Sequence, residues 1–297
     1  MKKIVICLLC LCLLCGCNAQ SVKNDNKITV VTTIFPLYDF ARAIGGERLD
    51  LQMLIKAGNE VHSYDPLPSD MMSVYNSDLF LYIGGESDAW VDSLLDNTSI
   101  NSVSLIDCVS CVSDQHIHHT HNHADEHIWT SPNNAVLMLE TICQELIAID
   151  PDYSEIYKKN CEDYIKKINS ASKEIEELVS KTKTPFIVVA DRFPFGYFTE
   201  QYDIDYEAAF DGCAVSSDIS LKTMARITKT IKERNIGTVF CTELSNQSIA
   251  KALNEELGVE VLELHSAHNV TLDDFNSGIT YVDILNRNKN VLERGIF

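Results

Sequence analysis

Short apolar runs alternate with longer amphipathic segments along most of the chain. Bounded apolar runs of this length are typical of buried β-strands. Strands are predicted at residues 28–34, 51–55, 79–83, 103–109, 186–190, 205–210, 238–241 and 259–264. Strands that take turns with helices form parallel sheets covered on both faces. The pattern therefore predicts an α/β fold of two lobes, each a mainly parallel sheet flanked by helices.

The amphipathic segments between these strands predict the helices. In the first half, one helix opens at Pro36, a second is capped by Ser69, and a third covers residues 90–95. Ser131 followed by Pro132 predicts another helix start, because serine caps the first turn and proline tolerates the first helical position. In the second half, helices are predicted at residues 221–234, 248–257 and 273–292.

One long amphipathic segment, bounded by Pro151 and Pro185, separates the two halves. Its apolar positions recur at spacings of four and three: Tyr157, Cys161, Tyr164, Ile168, Ala171, Ile175 and Leu178. A single helix of about 30 residues would extend about 45 Å, enough to cross the back of two lobes. The same stripe also fits a helix within one domain. We predict a first lobe at 27–150, a linker helix at 151–183 and a second lobe at 184–297.

The N-terminus has the features of an export signal. Lys2 and Lys3 precede an apolar run that is too short to span a bilayer core of about 30 Å. The run ends in Leu-Cys-Gly-Cys, which resembles the lipobox of bacterial lipoproteins and places the lipid on Cys17. We predict a signal peptide at 1–16, a tether at 17–26 and anchoring to the outer face of the bacterial cell membrane. An ordinary secretory signal and an uncut anchor are the alternatives.

Charge argues against nucleic acid as a partner. The chain has 24 Lys and Arg residues against 43 Asp and Glu residues, a formal net charge of −19 at pH 7. Such a surface repels nucleic acid and anionic lipid and raises the local concentration of cations. After the signal, no apolar run approaches the ~18 residues of a membrane-spanning helix. We expect an exported monomer.

The cysteines after the export signal include three predicted core residues and one CxxC pair. Cys143, Cys161 and Cys241 lie in apolar patterns and are predicted to be small core residues. Cys108 and Cys111 form a CxxC pair, which a disulfide, a metal pair or coincidence would each explain. A four-thiolate zinc site is not favoured, because no second CxxC follows the signal.

Six of the nine histidines fall close together: His116, His118, His119, His121, His123 and His127. Neutral imidazole is a common zinc ligand, and most unperturbed copies are neutral at pH ~7. This His-rich loop, residues 114–127, is predicted to collect additional metal ions weakly. A solvated insertion without a role would have the same composition.

Histidines next to predicted elements in both halves indicate one binding site. His62, His265 and His268 each come shortly after a predicted strand, and His127 comes just before a predicted helix. Ligands of open α/β sheets collect at the carboxyl ends of the strands. Each side chain alone could be an ordinary loop histidine. Their shared position predicts imidazoles that converge between the lobes, where a carboxylate would complete a zinc-type shell.

Two stretches that carry candidate histidines, GNEVHSYDPLPSD and DEHIWTSPNNA, resemble ligand motifs of a known family. This family is the zinc- and manganese-binding solute-binding lipoproteins of ABC importers, in which one rigid helix joins two lobes. The first stretch is similar to the family's first-ligand loop and implies a ligand at His62. The second is similar to its Asp-x-His-x-Trp-x-Ser-Pro-x-Asn-Ala motif and implies a ligand at His127. HIHHTHNHA lies where zinc-preferring members carry a His-rich loop.

The chain departs from the family at the third ligand. Aligning RFPFGYF with the family's segment puts Arg192 there, and a guanidinium cannot ligate a cation. Asp191 or Asp218 could replace the missing ligand. The family's fourth position falls on His268 when the residues after the last strand are counted without gaps. His265, nearer the sheet, fits a ligand and a supporting core residue equally well.

The ligands implied by this resemblance are those of a receptor and not of an enzyme. The set is His62, His127 and His268, completed by a carboxylate or a water. Nitrogen-rich shells suit Zn²⁺, with Mn²⁺ as the runner-up because manganese prefers oxygen. The resemblance implies delivery of the ion to an ABC permease in the membrane. Because histidine binds metal only when neutral, affinity should fall below about pH 6.

Other functions stay open from the sequence. A manganese-preferring binding protein and a lipoprotein adhesin of the same fold are two alternatives. A metal-dependent hydrolase is a third, and it needs a general base, for which Glu60 or Glu243 could be nominated. The chain has no HExxH motif to support that alternative.

Overall fold

A computed structural model of the chain describes residues 27–61, 64–96, 98–110, 125–210 and 220–296. Two four-stranded sheets form the framework, and their neighbouring strands pair in parallel. The first sheet has the order β2-β1-β3-β4 and consists of β1 (Ile28–Thr32), β2 (Leu49–Met53), β3 (Leu79–Tyr82) and β4 (Ser102–Ser104). The second has the order β6-β5-β7-β8 and consists of β5 (Phe186–Val189), β6 (Asp205–Ala208), β7 (Thr238–Cys241) and β8 (Glu260–Glu263).

Helices flank both sheets. The first half contains α1 (Phe35–Gly45), α2 (Pro68–Tyr75), α3 (Trp90–Leu95), α4 (Ile106–Ser110) and α5 (Pro132–Ile149). The 26-residue helix α6 (Ser154–Val179) follows. The second half contains α7 (Gly196–Gln201), α8 (Leu221–Arg234), α9 (Ser248–Leu257), α10 (Leu272–Ser277) and α11 (Tyr281–Gly295). The predicted fold class, two parallel-sheet halves joined by one long helix, is confirmed. Within the described ranges, no helix has both the length and the hydropathy to cross a membrane.

Two predictions in the first half are wrong in detail. Helix α2 begins at Pro68 and is not capped by Ser69, because the Asp70 carboxylate closes its first turn by accepting the backbone N–H of Leu67 at 2.9 Å. The apolar run at 103–109 is not one strand. It begins as β4 and continues as the short helix α4, a change that an apolar run cannot reveal because buried strands and buried helices look alike.

The predicted helix at 273–292 is two helices. Helix α10 ends at Gly278, which has φ +78° and so adopts the left-handed conformation that glycine tolerates best. Helix α11 then starts anew, with the Thr280 hydroxyl accepting the backbone N–H of Asp283 at 3.1 Å. Helix α7, which follows the aromatic stretch after Arg192, was not predicted.

Elements of both halves pack against helix α6. Its neighbours are α5 and α1 from the first half and α11 from the C-terminal end. The predicted stripe is confirmed, because all seven of its residues are buried. They belong to a single apolar core that also includes Val30 of the first sheet and Val189 of the second. The two halves are therefore held by shared packing and not only by the connecting chain.

A buried carboxylate joins three of these helices. Asp39 of α1, 1% exposed, accepts hydrogen bonds from the Arg42 guanidinium at 2.6 Å, the Tyr164 hydroxyl of α6 and the Tyr281 backbone N–H of α11 at 2.8 Å. Burial raises the pKa of Asp39, and the hydrogen bond from Tyr164 and the charge of Arg42 oppose that rise. One side chain thus fixes the linker helix to both halves of the chain.

Replacing Asp39 with alanine should lower the free energy of unfolding by about 3–5 kcal/mol, because three donors lose a buried acceptor. Urea denaturation measures the loss. The matched control is Asp163→Ala on the exposed side of α6, where the carboxylate pairs with Lys159 and Lys166 at 3.0 Å each. That change should cost less than about 1 kcal/mol. Equal losses in the two variants would contradict the role given to Asp39.

Candidate metal centre

Loops at the carboxyl ends of strands from both sheets line a cavity of about 260 Å³. Its walls include Glu60, His127, Arg192, Glu243, Ser266 and His268. Glu60 comes after β2, while Arg192, Glu243 and His268 come after β5, β7 and β8. This edge of an α/β sheet is where ligands bind. The cavity therefore lies between the halves, where the sequence predicts the metal site.

Two of the three predicted ligands face each other in this cavity. The ring centroids of His127 and His268 are 5.3 Å apart, and the ring planes are nearly perpendicular at 88°. Trp129 packs against both rings, with centroid distances of 5.3 Å to His127 and 4.7 Å to His268. Both histidines are buried. The third predicted ligand, His62, lies outside the described residues.

The sequence Asp-x-His orients the first of these rings. One carboxylate oxygen of Asp125 accepts the backbone N–H of His127 at 3.0 Å and lies 2.7 Å from its Nδ1. When Nδ1 carries the proton and donates it to this carboxylate, Nε2 presents the lone pair that can ligate a metal. The carboxylate also makes the imidazole a better electron donor.

The second half of the chain holds Asp125 in turn. The Tyr197 hydroxyl donates to the Asp125 backbone carbonyl at 3.1 Å. Burial, and then the charge of Asp125, raises the pKa of Tyr197 to about 12, so the hydroxyl remains a donor. Gly196 packs so closely that a Cβ there would lie 2.7 Å from the Asp125 carboxylate. The absence of a side chain at this position lets α7 approach the turn that carries His127.

A second carboxylate shapes the loop of His268. Glu243 accepts the backbone N–H and hydroxyl of Ser266 at 2.7 Å and 2.6 Å, and the backbone N–H of His268 at 3.1 Å. Ala267 between them has φ +62°, a conformation that non-glycine residues rarely adopt. The Trp129 indole donates to the Ser266 carbonyl at 2.9 Å and ties this loop to the segment of His127. Hydrogen bonds to a carboxylate and to the indole therefore hold the loop in a strained turn.

A side-chain amide links the same loop to the segment that leads to His62. The Asn269 amide donates to the carbonyls of Lys56 and Asn59, both at 2.9 Å. The backbone N–H of Gly58 donates to Val270 at 2.8 Å alongside. The sequence did not predict this link, because an asparagine in a loop has no spacing or charge pattern that marks it.

The alternative ligands are engaged elsewhere. Nδ1 of His265 accepts the backbone N–H of Ala267 at 2.9 Å, which makes it part of the turn. Asp191 accepts the Thr242 hydroxyl at 3.1 Å and the Arg192 backbone N–H at 2.9 Å. Asp218 lies outside the described residues. These contacts favour a supporting role for His265 and Asp191.

Arg192 forms an ion pair across the mouth of the cavity. Its guanidinium donates to the Glu60 carboxylate at 3.1 Å, with side-chain exposures of 29% and 53%. So exposed a pair adds little stability, on the order of 0–1 kcal/mol. The Arg192 side chain does place a positive charge at the position where the family resemblance implies a metal ligand.

Two further carboxylates lie next to the turn of His127. Glu126 accepts the Ser87 backbone N–H at 2.9 Å, and Asp88 accepts the Ile83 backbone N–H at 2.8 Å. Burial raises the pKa of Asp88 to about 6, and the charge of Glu126 adds to the rise. The environment beside the cavity is therefore acidic, as the overall charge of the chain leads one to expect.

The described part of the chain contains no group of three or more His, Cys, Asp and Glu side chains arranged to hold one metal ion. It supplies two imidazoles, so the predicted set depends on His62. Other predicted features also lie outside the described residues: the signal peptide at 1–16, the tether with Cys17, Cys111 and the His-rich residues up to position 124. Cys108 is described, and its thiol donates to the Leu105 carbonyl at 2.9 Å.

Comparison with known proteins shows the family of this chain. Residues 30–295 match the model of ZnuA, described as zinc-uptake complex component A, periplasmic. The match covers most of the chain, which therefore belongs to this family. The resemblance seen in the ligand motifs is confirmed.

Individual relatives agree with this assignment. The zinc-binding lipoprotein AdcA of Streptococcus pneumoniae strain R6 is 29% identical over 99% of this chain, but the chain spans only 61% of that relative. The high-affinity zinc uptake system protein ZnuA of Bacillus subtilis is 26% identical over 96% of this chain and 94% of its own length. The Zn(II)-bound ZnuA-like domain of Streptococcus pneumoniae AdcA superposes with a TM-score of 0.77, at 27% identity, over 91% of this chain and 99% of that structure.

Proposed function

We propose that this protein is an extracytoplasmic receptor that binds Zn²⁺ between its two lobes and delivers it to an ABC permease. The observation that carries the proposal is the meeting of His127 and His268, from opposite halves of the chain, with ring centroids 5.3 Å apart in one cavity. Membership of the zinc-uptake family supports the same function.

In this proposal the ion is held by His62, His127 and His268, with a water or a carboxylate as the fourth ligand. Three neutral imidazoles leave the charge of the cation uncompensated. The carboxylates of Asp125 and Glu243, which contact the residues carrying two of these rings, supply negative charge close by. Zn²⁺ is preferred to Mn²⁺ because the ligands are nitrogen atoms, and the named relatives are zinc proteins.

The remaining parts of the chain have complementary roles in the proposal. A signal at 1–16 directs export, the lipid on Cys17 and the tether at 17–26 hold the protein at the membrane, and the loop at 114–127 collects ions. The lobes are residues 27–150 and 184–297, joined by the linker helix at 151–183. Because α6 and the Asp39 hydrogen bonds hold the lobes together, we expect loading to occur without a large closure.

The contacts of the nominated bases speak against the hydrolase alternative. Glu60 is paired with Arg192, and Glu243 accepts three hydrogen bonds from the His268 loop. A general base needs a carboxylate within reach of a metal-bound water. Neither contact pattern suits that role, so we propose binding and release of the ion without turnover.

Removing either described ligand should abolish tight zinc binding. We expect His127→Ala and His268→Ala to weaken zinc affinity of the metal-stripped protein by more than the roughly 10–100-fold that loss of a supporting residue costs. Competition titration against a chromophoric chelator measures this, and Mn²⁺ titrated in parallel tests the runner-up metal. The His62→Ala variant tests the third ligand in the same way.

His265→Gln is the matched control, because it changes a histidine of the same loop whose ring nitrogen is occupied by the loop itself. This variant should lose no more than the roughly 10–100-fold in affinity that removal of a supporting residue costs. Tight binding by His127→Ala and His268→Ala together with loss in His265→Gln would contradict the proposed ligands. A variant lacking residues 116–123 should keep one tight site, and loss of all tight binding there would assign zinc to the His-rich loop instead.

Asp125 should act through His127. Replacement by alanine removes both hydrogen bonds to His127 and is expected to weaken zinc binding about 10–100-fold. Asp125→Asn should weaken it less, because the amide oxygen still accepts both N–H groups. The same competition titration distinguishes the variants. Wild-type affinity in Asp125→Ala would show that His127 needs no orienting partner or does not ligate the ion.

Arg192 offers a test of the altered third position. Arg192→His supplies a nitrogen ligand in the wall of the cavity and removes a positive charge, so zinc should bind at least about 10-fold more tightly than to Arg192→Gln. Arg192→Gln is the control because it also breaks the ion pair with Glu60 but adds no imidazole. Equal affinities of the two variants would mean that position 192 is not directed at the ion.

A further inference from the structure

Two buried cysteines lie on neighbouring helices, outside the candidate metal site. We propose that Cys143 of α5 and Cys161 of α6 form a disulfide in the exported protein. Both residues were predicted to be small core residues, and both are buried, with exposures of 6% and 5%. The proposal rests on the position of the two residues relative to each other.

The two cysteines lie at matching heights on a helical hairpin. Helices α5 and α6 pack along each other and are joined by a tight turn at Pro151–Tyr153. Cys143 lies about 9 Å before the end of α5, and Cys161 about 10 Å after the start of α6, at 1.5 Å per residue. Both side chains face the common core. Equal distances from the turn bring the two positions opposite each other.

The contacts of the sulfur atoms agree with this placement. The Cys161 thiol donates to the Leu139 carbonyl at 3.8 Å, one helical turn before Cys143. The sulfur of Cys161 therefore lies against the turn of α5 that carries Cys143.

The bond forms by two exchange steps with an external disulfide. One of the two cysteines, for example Cys143, attacks first as its thiolate. Its sulfur bonds to one sulfur of an external disulfide and releases the other as a thiolate. Cys161 then loses its proton and displaces the second external thiol from Cys143.

The exchange balances with an external disulfide as oxidant. Two protein thiols become one disulfide, and the external disulfide is reduced to two thiols, taking up two electrons and two protons. Extracytoplasmic compartments supply such oxidants. Because both sulfur atoms are buried, the bond would form before the α5–α6 hairpin is fully packed. Its effect would be to fasten the helix that follows His127 to the linker helix.

Peptide mapping tests the bond directly. The full chain, exported or refolded in the presence of oxidised glutathione, is denatured in the presence of N-ethylmaleimide. It is then digested without reduction by trypsin and by a protease that cleaves after Glu. Cleavage after Lys159 and Glu162 isolates Cys161 in residues 160–162, and cleavage after Glu140 and Glu145 isolates Cys143 in residues 141–145. We expect these two peptides to be recovered joined, and to be separated by reduction. Recovery of the two peptides separately and alkylated, from the exported and the refolded protein alike, would overturn the proposal.

Thermal denaturation provides an independent readout. Closing a loop of roughly 18 residues should raise Tm by about 5–10 °C over the reduced protein. Cys143→Ala and Cys161→Ala should remove the response to reduction, whereas Cys241→Ala, which changes a buried cysteine of β7, should keep it. A response to reduction that survives in Cys143→Ala would contradict the pairing. The zinc titrations do not depend on this bond, so absence of the disulfide would not contradict the proposed zinc site.

Discussion

The buried carboxylate of Asp39 is the constraint on which the arrangement of this protein depends. It connects α1, the long helix α6 and the C-terminal helix α11 through three hydrogen bonds within the apolar core. Burial of an anion is unfavourable unless donors surround it, so these helices can pack here only in the one arrangement that supplies the donors. Since α1 and α11 come from opposite ends of the chain, this contact joins the two halves at the long helix, together with the apolar core that they share.

A network of hydrogen bonds holds the residues around the cavity in place. Asp125 orients the His127 ring, Glu243 holds the backbone of His268, and the Trp129 indole ties the two segments together. Asn269 extends the same network to the loop that leads to His62. For the proposed receptor, the free-energy cost of positioning His127 and His268 is therefore met on folding and not on binding, which favours affinity. In the same proposal, the negative charge of the two carboxylates offsets the charge of the cation.

Much of this organisation could be predicted from the sequence, and the failures have physical reasons. Strict alternation of apolar runs and amphipathic segments predicted both sheets, and the stripe from Tyr157 to Leu178 predicted the linker helix because its periodicity is long and unbroken. The second half of the run at 103–109 was misassigned because short apolar runs fit a strand or a helix equally. At the candidate site, motif and strand-end position singled out His127 and His268, whose rings the structure brings to a centroid distance of 5.3 Å. Glu243 and Asn269 were missed in their positioning roles, because such contacts arise from tertiary structure and leave no periodic signal.

Anomalous diffraction at the zinc absorption edge, from crystals of the zinc-loaded protein, would locate the ion directly. A single strong peak about 2.1 Å from Nε2 of His127 and from a ring nitrogen of His268 would place the ion where imidazoles from the two halves meet. A peak confined to the His-rich loop, with these two rings uncoordinated, would contradict a site between the lobes.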